Sequence, residues 1–226
     1  MSNIKIIYIY MESTENKNHN HSHRHHHGHH RSENVYVYQV ETNVSKNVLN
    51  LAFTAAVLGQ LLFFLANFSI SAVLGSDGTS FVLLAHFLRT IGEGFLLYCL
   101  MKGMASLRYP LKHYFIATIF FFVLFHVVTS VCMLFNWTSF LGDAGIFFYM
   151  ANTITYFLLG FKLKQKYRDS MAKLGVTIMT YIILSMALSL VGLNGVNIYA
   201  DLAGIAVGVF YIVTLRDRFD VNEYDF

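Results

Sequence analysis

Long, mostly apolar runs dictate their own surroundings, and this chain has six of them. A helix needs roughly 20 mostly apolar residues to cross the hydrocarbon core of a bilayer. The runs at about Val48 to Leu74, Phe81 to Met101, Tyr114 to Phe135, Ala144 to Phe161, Leu174 to Leu193 and Ala200 to Leu215 meet or approach that length. Among 226 residues, 55% are hydrophobic, 13% are charged and one, Pro110, is proline. A water-soluble domain of this size rarely has such a composition. The expected fold is all-α, a polytopic bundle of six transmembrane helices in a lipid bilayer, with no soluble domain left over and no nucleic-acid partner.

The basic residues predict which way the bundle faces, because Lys and Arg near span ends stay on the cytoplasmic side. The second and third spans are joined by "KGMASLRYPLK", with Lys102, Arg108 and Lys112. The fourth and fifth are joined by "KLKQKYRDSMAK", with Lys162, Lys164, Lys166, Arg168 and Lys173. The other three connections, "GSDGTS", "NWTSFLGD" and "NGVNIY", hold no Lys or Arg, while Arg216 and Arg218 follow the last span. Both termini are therefore expected in the cytoplasm, in a membrane of the bacterial inner (plasma) type.

Residues 1–47 read as a disordered cytoplasmic tail, 48–215 as the membrane domain and 216–226 as a short second tail. "HNHSHRHHHGHHR" holds eight histidines, His19, His21, His23, His25, His26, His27, His29 and His30. Polar company of this kind cannot bury a core. Imidazole binds Zn, Cu and Ni, so a divalent metal could be captured there, although irregular spacing fixes no geometry. "MSNIKIIYIY" is too short for a signal peptide, and translation could start at Met11 as well as Met1. Cys99 and Cys132 fall near opposite ends of their helices and are not expected to pair.

Polar residues inside the spans are the functional candidates, since an ionisable group there is costly and usually faces the bundle interior. They are His86, Arg89, Glu93, His126 and Asp201, with Asp143 at an outer helix end. At about 100° per residue, His86, Arg89, Thr90 and Glu93 share one face of the second span. Arg89 and Glu93, four apart, can neutralise each other along the helix. Gly145, Tyr149, Asn152 and Tyr156 line up on the fourth span as interhelical hydrogen-bonding candidates. On the sixth, Ala200, Gly204 and Gly208 recur every four residues, with Asp201 on the same arc. Small residues let a neighbouring backbone approach closely, so this face should pack tightly. Asp201 itself is read either as solvated at the outer interface or as buried and hydrogen-bonded.

Three stretches, "HFLRT" in the second span, "GDAGIFF" (Gly142 to Phe148) at the fourth and "DLAGIAVGV" (Asp201 to Val209) in the sixth, occur in a meaningful order. From about residue 81 to 216 the sequence resembles the six-helix core of the rhomboid intramembrane serine proteases. The resemblance puts His86 and Thr90 at the family's His and Asn positions, Ala144 at the nucleophilic serine and Asp201 at the catalytic histidine. Ala144 cannot attack a carbonyl, so no catalytic residue and no cofactor is expected. The loop "GSDGTS" is also shorter than the family's membrane-lying loop. The resemblance implies a central fourth span packed against the sixth through Gly204 and Gly208, with Asp201 approaching Ala144.

Two functions follow. The first is a non-catalytic rhomboid-like pseudoprotease that binds transmembrane segments of client proteins, with His86, Arg89, Thr90, Glu93, Asn152, Tyr156 and Asp201 as a polar cavity. The alternative is a cation-, metal- or haem-binding membrane protein or transporter that uses His86, His126, Glu93 and Asp201. A hydrolase built on Ser130 or Cys132 is a third, weaker reading. Convergence of His86 and His126 within a few ångströms separates the alternative from the first reading.

Overall fold

The structure, a computed structural model, describes residues 35–67, 79–192 and 198–220; the side chains of 35, 64–67, 138–144, 189, 191, 192, 198, 201 and 220 lie outside that description. Lipid offers backbone amides no partner, so apolar runs of this length close their hydrogen bonds within helices. The helices are α1 (Lys46–Asn67), α2 (Thr79–Gly103), α3 (Lys112–Leu134), α4 (Thr138–Lys166), α5 (Asp169–Gly192) and α6 (Ile198–Arg216). The first five are long and apolar enough to cross a membrane, whereas the apolar part of α6, Leu202–Arg216, is shorter.

Each helix packs on its neighbour in sequence, and α6 returns to α1, closing a ring. This corrects the expectation of a central fourth span. The principal neighbours of α4 are α3 and α5, and it meets α6 through the rings of Tyr156 and Tyr211, 6.3 Å apart. Gly204 of α6 faces Leu188 of α5, and Gly208 lies under the Gln60 amide of α1. The closest backbone approaches occur elsewhere. A methyl group on Gly92 of α2 would fall 2.5 Å from the Ala52 carbonyl oxygen of α1, and one on Gly175 of α5 would fall 2.5 Å from that of Gly160 in α4. Gly142 to Phe148 lies within α4, which begins at Thr138, so this stretch does not form a turn opening the span.

One end of the ring is stitched together by the chain ahead of α1. Strand β1 (Val35–Tyr36) pairs in parallel with β3 (Tyr167–Arg168), between α4 and α5. Strand β2 (Val40–Glu41) pairs with β4 (Phe219–Asp220), beyond α6. A side chain on Gly103, at the end of α2, would strike Val40 and the Glu41 carbonyl. Ser170 donates to the carbonyls of Val37 and Tyr38, and Arg168 donates to the Tyr36 hydroxyl at 3.0 Å. Ahead of the expected boundary at residue 47, the chain packs on the bundle from Val35, burying Val37 and Val40. Residues 1–34, including the histidine-rich stretch, lie outside the described residues.

The same end carries the α2–α3 and α4–α5 connections and the segment after α6, so the basic residues that flank the spans gather there. Inward from this strap lies an apolar layer, with Leu49, Leu97, Leu100, Met104, Leu163, Leu174 and Leu215 fully buried. Cys99 and Cys132 are buried and free.

Candidate functional site

Beyond the apolar layer the ring encloses a polar cluster. Glu93 lies ten residues from the Gly103 end of α2, roughly 15 Å along the axis at 1.5 Å per residue. That is about half the roughly 30 Å hydrocarbon thickness. Glu93 has no exposure to solvent. Its Oε2 accepts from Arg89 Nη2 at 2.9 Å and from Nε at 3.3 Å. Its Oε1 accepts from the Tyr156 hydroxyl of α4 at 2.7 Å. The four-residue spacing on α2 makes the ion pair local, and the tyrosine makes it tertiary.

Arg89 reaches further. Its Nη2 donates to the Tyr181 hydroxyl of α5 at 3.1 Å, and its guanidinium lies 5.5 Å from the Phe63 ring centroid and 5.8 Å from that of Phe122. Aromatic faces suit a cation that has lost its water. Gly59 on α1 gives Arg89 its room, since a methyl there would sit 2.7 Å from the Arg89 Cγ. Tyr181 in turn stacks on Tyr211 of α6, with centroids 4.9 Å apart and planes at 13°.

One turn away, His86 of α2 meets His126 of α3, with their Nδ1 atoms 2.5 Å apart. They are 3% and 2% exposed, so neither imidazole has much water to turn to. One ring must donate and the other accept, so a single proton lies between them. Two nitrogens bound tetrahedrally to one Zn²⁺ at about 2.0 to 2.1 Å would stand roughly 3.3 Å apart. The observed contact therefore suits a shared proton, and it leaves no space for a metal or haem iron between the rings. Among the described residues, no group of three or more His, Cys, Asp or Glu converges on a metal site.

A cavity of about 70 Å³ opens beside these groups, lined by Arg89, Glu93, His126, Asn152, Tyr156 and Tyr181 together with Tyr149, Thr153, Ser185 and apolar side chains. Asn152 Oδ1 is buried and has no hydrogen-bond partner among the described residues. The structure thus brings Arg89, Glu93, Asn152 and Tyr156 together as a lining, and joins His86 to it through His126. Thr90 departs from the expected cavity, because its hydroxyl donates to the His86 carbonyl of its own helix at 2.8 Å. The side chains of Ala144 and Asp201 lie outside the described residues, so their expected approach does too. Gly145 is part-buried in α4, and Ala200 is buried near the start of α6.

Tyr181 and Tyr211 were not singled out by sequence, because a neutral phenol in an apolar run escapes a search for ionisable residues. The one available signal was spacing: Tyr181 and Ser185 stand four apart on α5 and so share a face.

No family model, curated protein or solved structure matches the chain.

Proposed function

We propose that this protein is a membrane transporter that binds a small solute in the polar cavity at the centre of its helical ring, with a proton held at the same place. The observation that carries this reading is the convergence of Arg89, Glu93, His126, Tyr156 and Tyr181, from four helices, on one cavity about half-way through the bundle. Ionisable groups at that depth are expensive, and in membrane bundles they mark solute pathways and proton relays. Fully buried apolar side chains lie between the cavity and the strap, which suits a closed side in one state of an alternating cycle. Under the positive-inside rule the strap end, rich in Lys and Arg, faces the cytoplasm and the spans number six.

The rhomboid-like client-binding reading is supported by the order of its three sequence stretches and by the segments just ahead of α1 and just after α6 pairing at one end of the bundle. It assigns the work to the α4–α6 contact, whereas the buried ionisable groups gather between α2, α3, α4 and α5.

Accessibility tests the transporter reading without knowledge of the solute. In a background lacking Cys99 and Cys132, Ser185→Cys should react with a small charged thiol reagent from the side opposite the strap. A slower reaction should occur from the strap side in sealed vesicles, as the apolar layer opens. Protection from both sides under all conditions would leave the cavity structural and refute transport through it.

A further inference from the structure

Net charge is the constraint from which a substrate class can be drawn, on the footing of the transporter reading. Arg89 and Glu93 cancel at the centre of the bundle, and a charge added there without compensation is heavily penalised. A cation entering beside Arg89 raises the charge and finds no second carboxylate, since Glu93 is the one acid among the described lining residues. An anion entering alone also leaves a net charge, and it meets the Glu93 carboxylate. An anion entering with a proton on Glu93 leaves the centre neutral.

We infer that the cavity binds a small monovalent anion, nitrate- or carboxylate-sized, on Arg89, together with one proton on Glu93. The exchange balances: the guanidinium–carboxylate pair, a proton and the anion become a guanidinium–anion pair and a neutral carboxyl group, with no change in total charge. Arg89 changes one anionic partner for another. The Tyr156 hydroxyl keeps an acceptor, because a protonated carboxyl retains its carbonyl oxygen. Size agrees as well. An apolar cavity of about 150 Å³ takes benzene, so about 70 Å³ takes a molecule roughly half as large.

Titratable and charged groups stand around Glu93 and the cavity from each packed element. They are Arg89 on its own helix, His126 from α3, Tyr149 and Tyr156 from α4, Tyr181 from α5 and Tyr211 from α6, while α1 contributes the uncharged Gln60 and Phe63. A proton on Glu93, unlike one on His86 or His126, releases Arg89 to the incoming anion. Anion binding and Glu93 protonation are then reciprocally linked. With one proton taken up per anion, affinity rises as pH falls, by at most about tenfold per unit.

The experiment uses the purified full chain with sodium nitrate and sodium chloride against sodium gluconate at equal ionic strength. In detergent, nitrate or chloride should raise the thermal midpoint more at pH 5 than at pH 8. In proteoliposomes holding a pH dye, an inward nitrate gradient should acidify the lumen. Glu93→Gln, which mimics the neutral carboxyl, should bind the anion with equal affinity at both pH values and carry no proton. Asn152→Asp, a near-isosteric change that adds a carboxylate, should weaken anion binding most at pH 8; it also serves as the test if Glu93→Gln does not fold. Anion affinity independent of pH in the wild type, or no anion effect at either pH, overturns the inference. If Ser185→Cys is nonetheless labelled from both sides, the transporter reading stands and the anion assignment alone has failed.

Discussion

Glu93 holds the cluster together because each of its oxygens is committed to a different helix system: Oε2 to Arg89 on α2 and, through Arg89, to Tyr181 on α5, and Oε1 to Tyr156 on α4. Breaking a buried ion pair from one side leaves the other charge stranded, a loss of about 3 to 5 kcal/mol, whereas replacing both partners with neutral residues of similar volume is often nearly neutral. Arg89→Met alone should therefore lower stability by about 3 to 5 kcal/mol in a denaturant titration in micelles. Arg89→Met with Glu93→Gln should recover most of that loss. Tyr156→Phe, which removes a single interhelical hydrogen bond, should cost only about 1 kcal/mol. Equal losses for the single Arg89 variant and the double variant would mean that the pair does not act as a unit. That Arg89 and Glu93 would pair follows from their spacing in sequence; that two tyrosines would complete the pair does not, since both come from helices more than 60 residues away.

At the scale of the element, the helices are set by two small-residue contacts. Gly92 lies against the backbone of Ala52 and Ala56, and Gly160 and Gly175 face each other across α4 and α5. Close backbone approach lets interhelical dispersion replace the hydrophobic drive that lipid does not supply. Gly92 and Gly94 are separated by one residue yet face different surroundings, since a methyl at Gly94 would meet Phe122 at an ordinary 3.7 Å. Gly92→Ala should therefore destabilise the bundle by about 1 to 3 kcal/mol through overpacking. Gly94→Ala should be neutral or stabilising by up to about 1 kcal/mol through reduced chain entropy. The comparison is read as the difference in thermal midpoint between the two variants, and equal midpoints would contradict the α1–α2 contact. The repeat of Ala200, Gly204 and Gly208 is plain in sequence, but its partners are not. Small residues announce that something comes near without saying which helix it is.

For the whole molecule, the strap makes the topology internally consistent. The segment ahead of α1 touches the α2–α3 end, the α4–α5 connection and the chain after α6, so these four places share one end of the bundle. The parity agrees with the alternation of basic connections. A fluorescent reporter fused after Phe226 should be active in the cytoplasm of a bacterial host. A cysteine placed at Trp137, in the connection without basic residues, should react with an impermeant reagent from outside. Labelling of Trp137→Cys from within alone would reverse the assignment.

The sequence by itself determined the apolar helical segments among the described residues, the clustering of positive charge at alternate connections and the α2 stripe of His86, Arg89 and Glu93. Each of these is a local property, fixed by apolar run length, by charge near span ends or by the 100° turn of one helix. Tertiary structure alone decided that the helices close as a ring, that His126 meets His86, that Tyr181 and Tyr156 complete the ion pair and that residues 35–44 fasten the basic end. In a bilayer every outward face is equally apolar, so hydropathy cannot tell a helix which neighbour to choose. That choice is made by the fit of a few glycines and by the need of each buried polar group for a partner, and both depend on three-dimensional contacts between residues far apart in the chain.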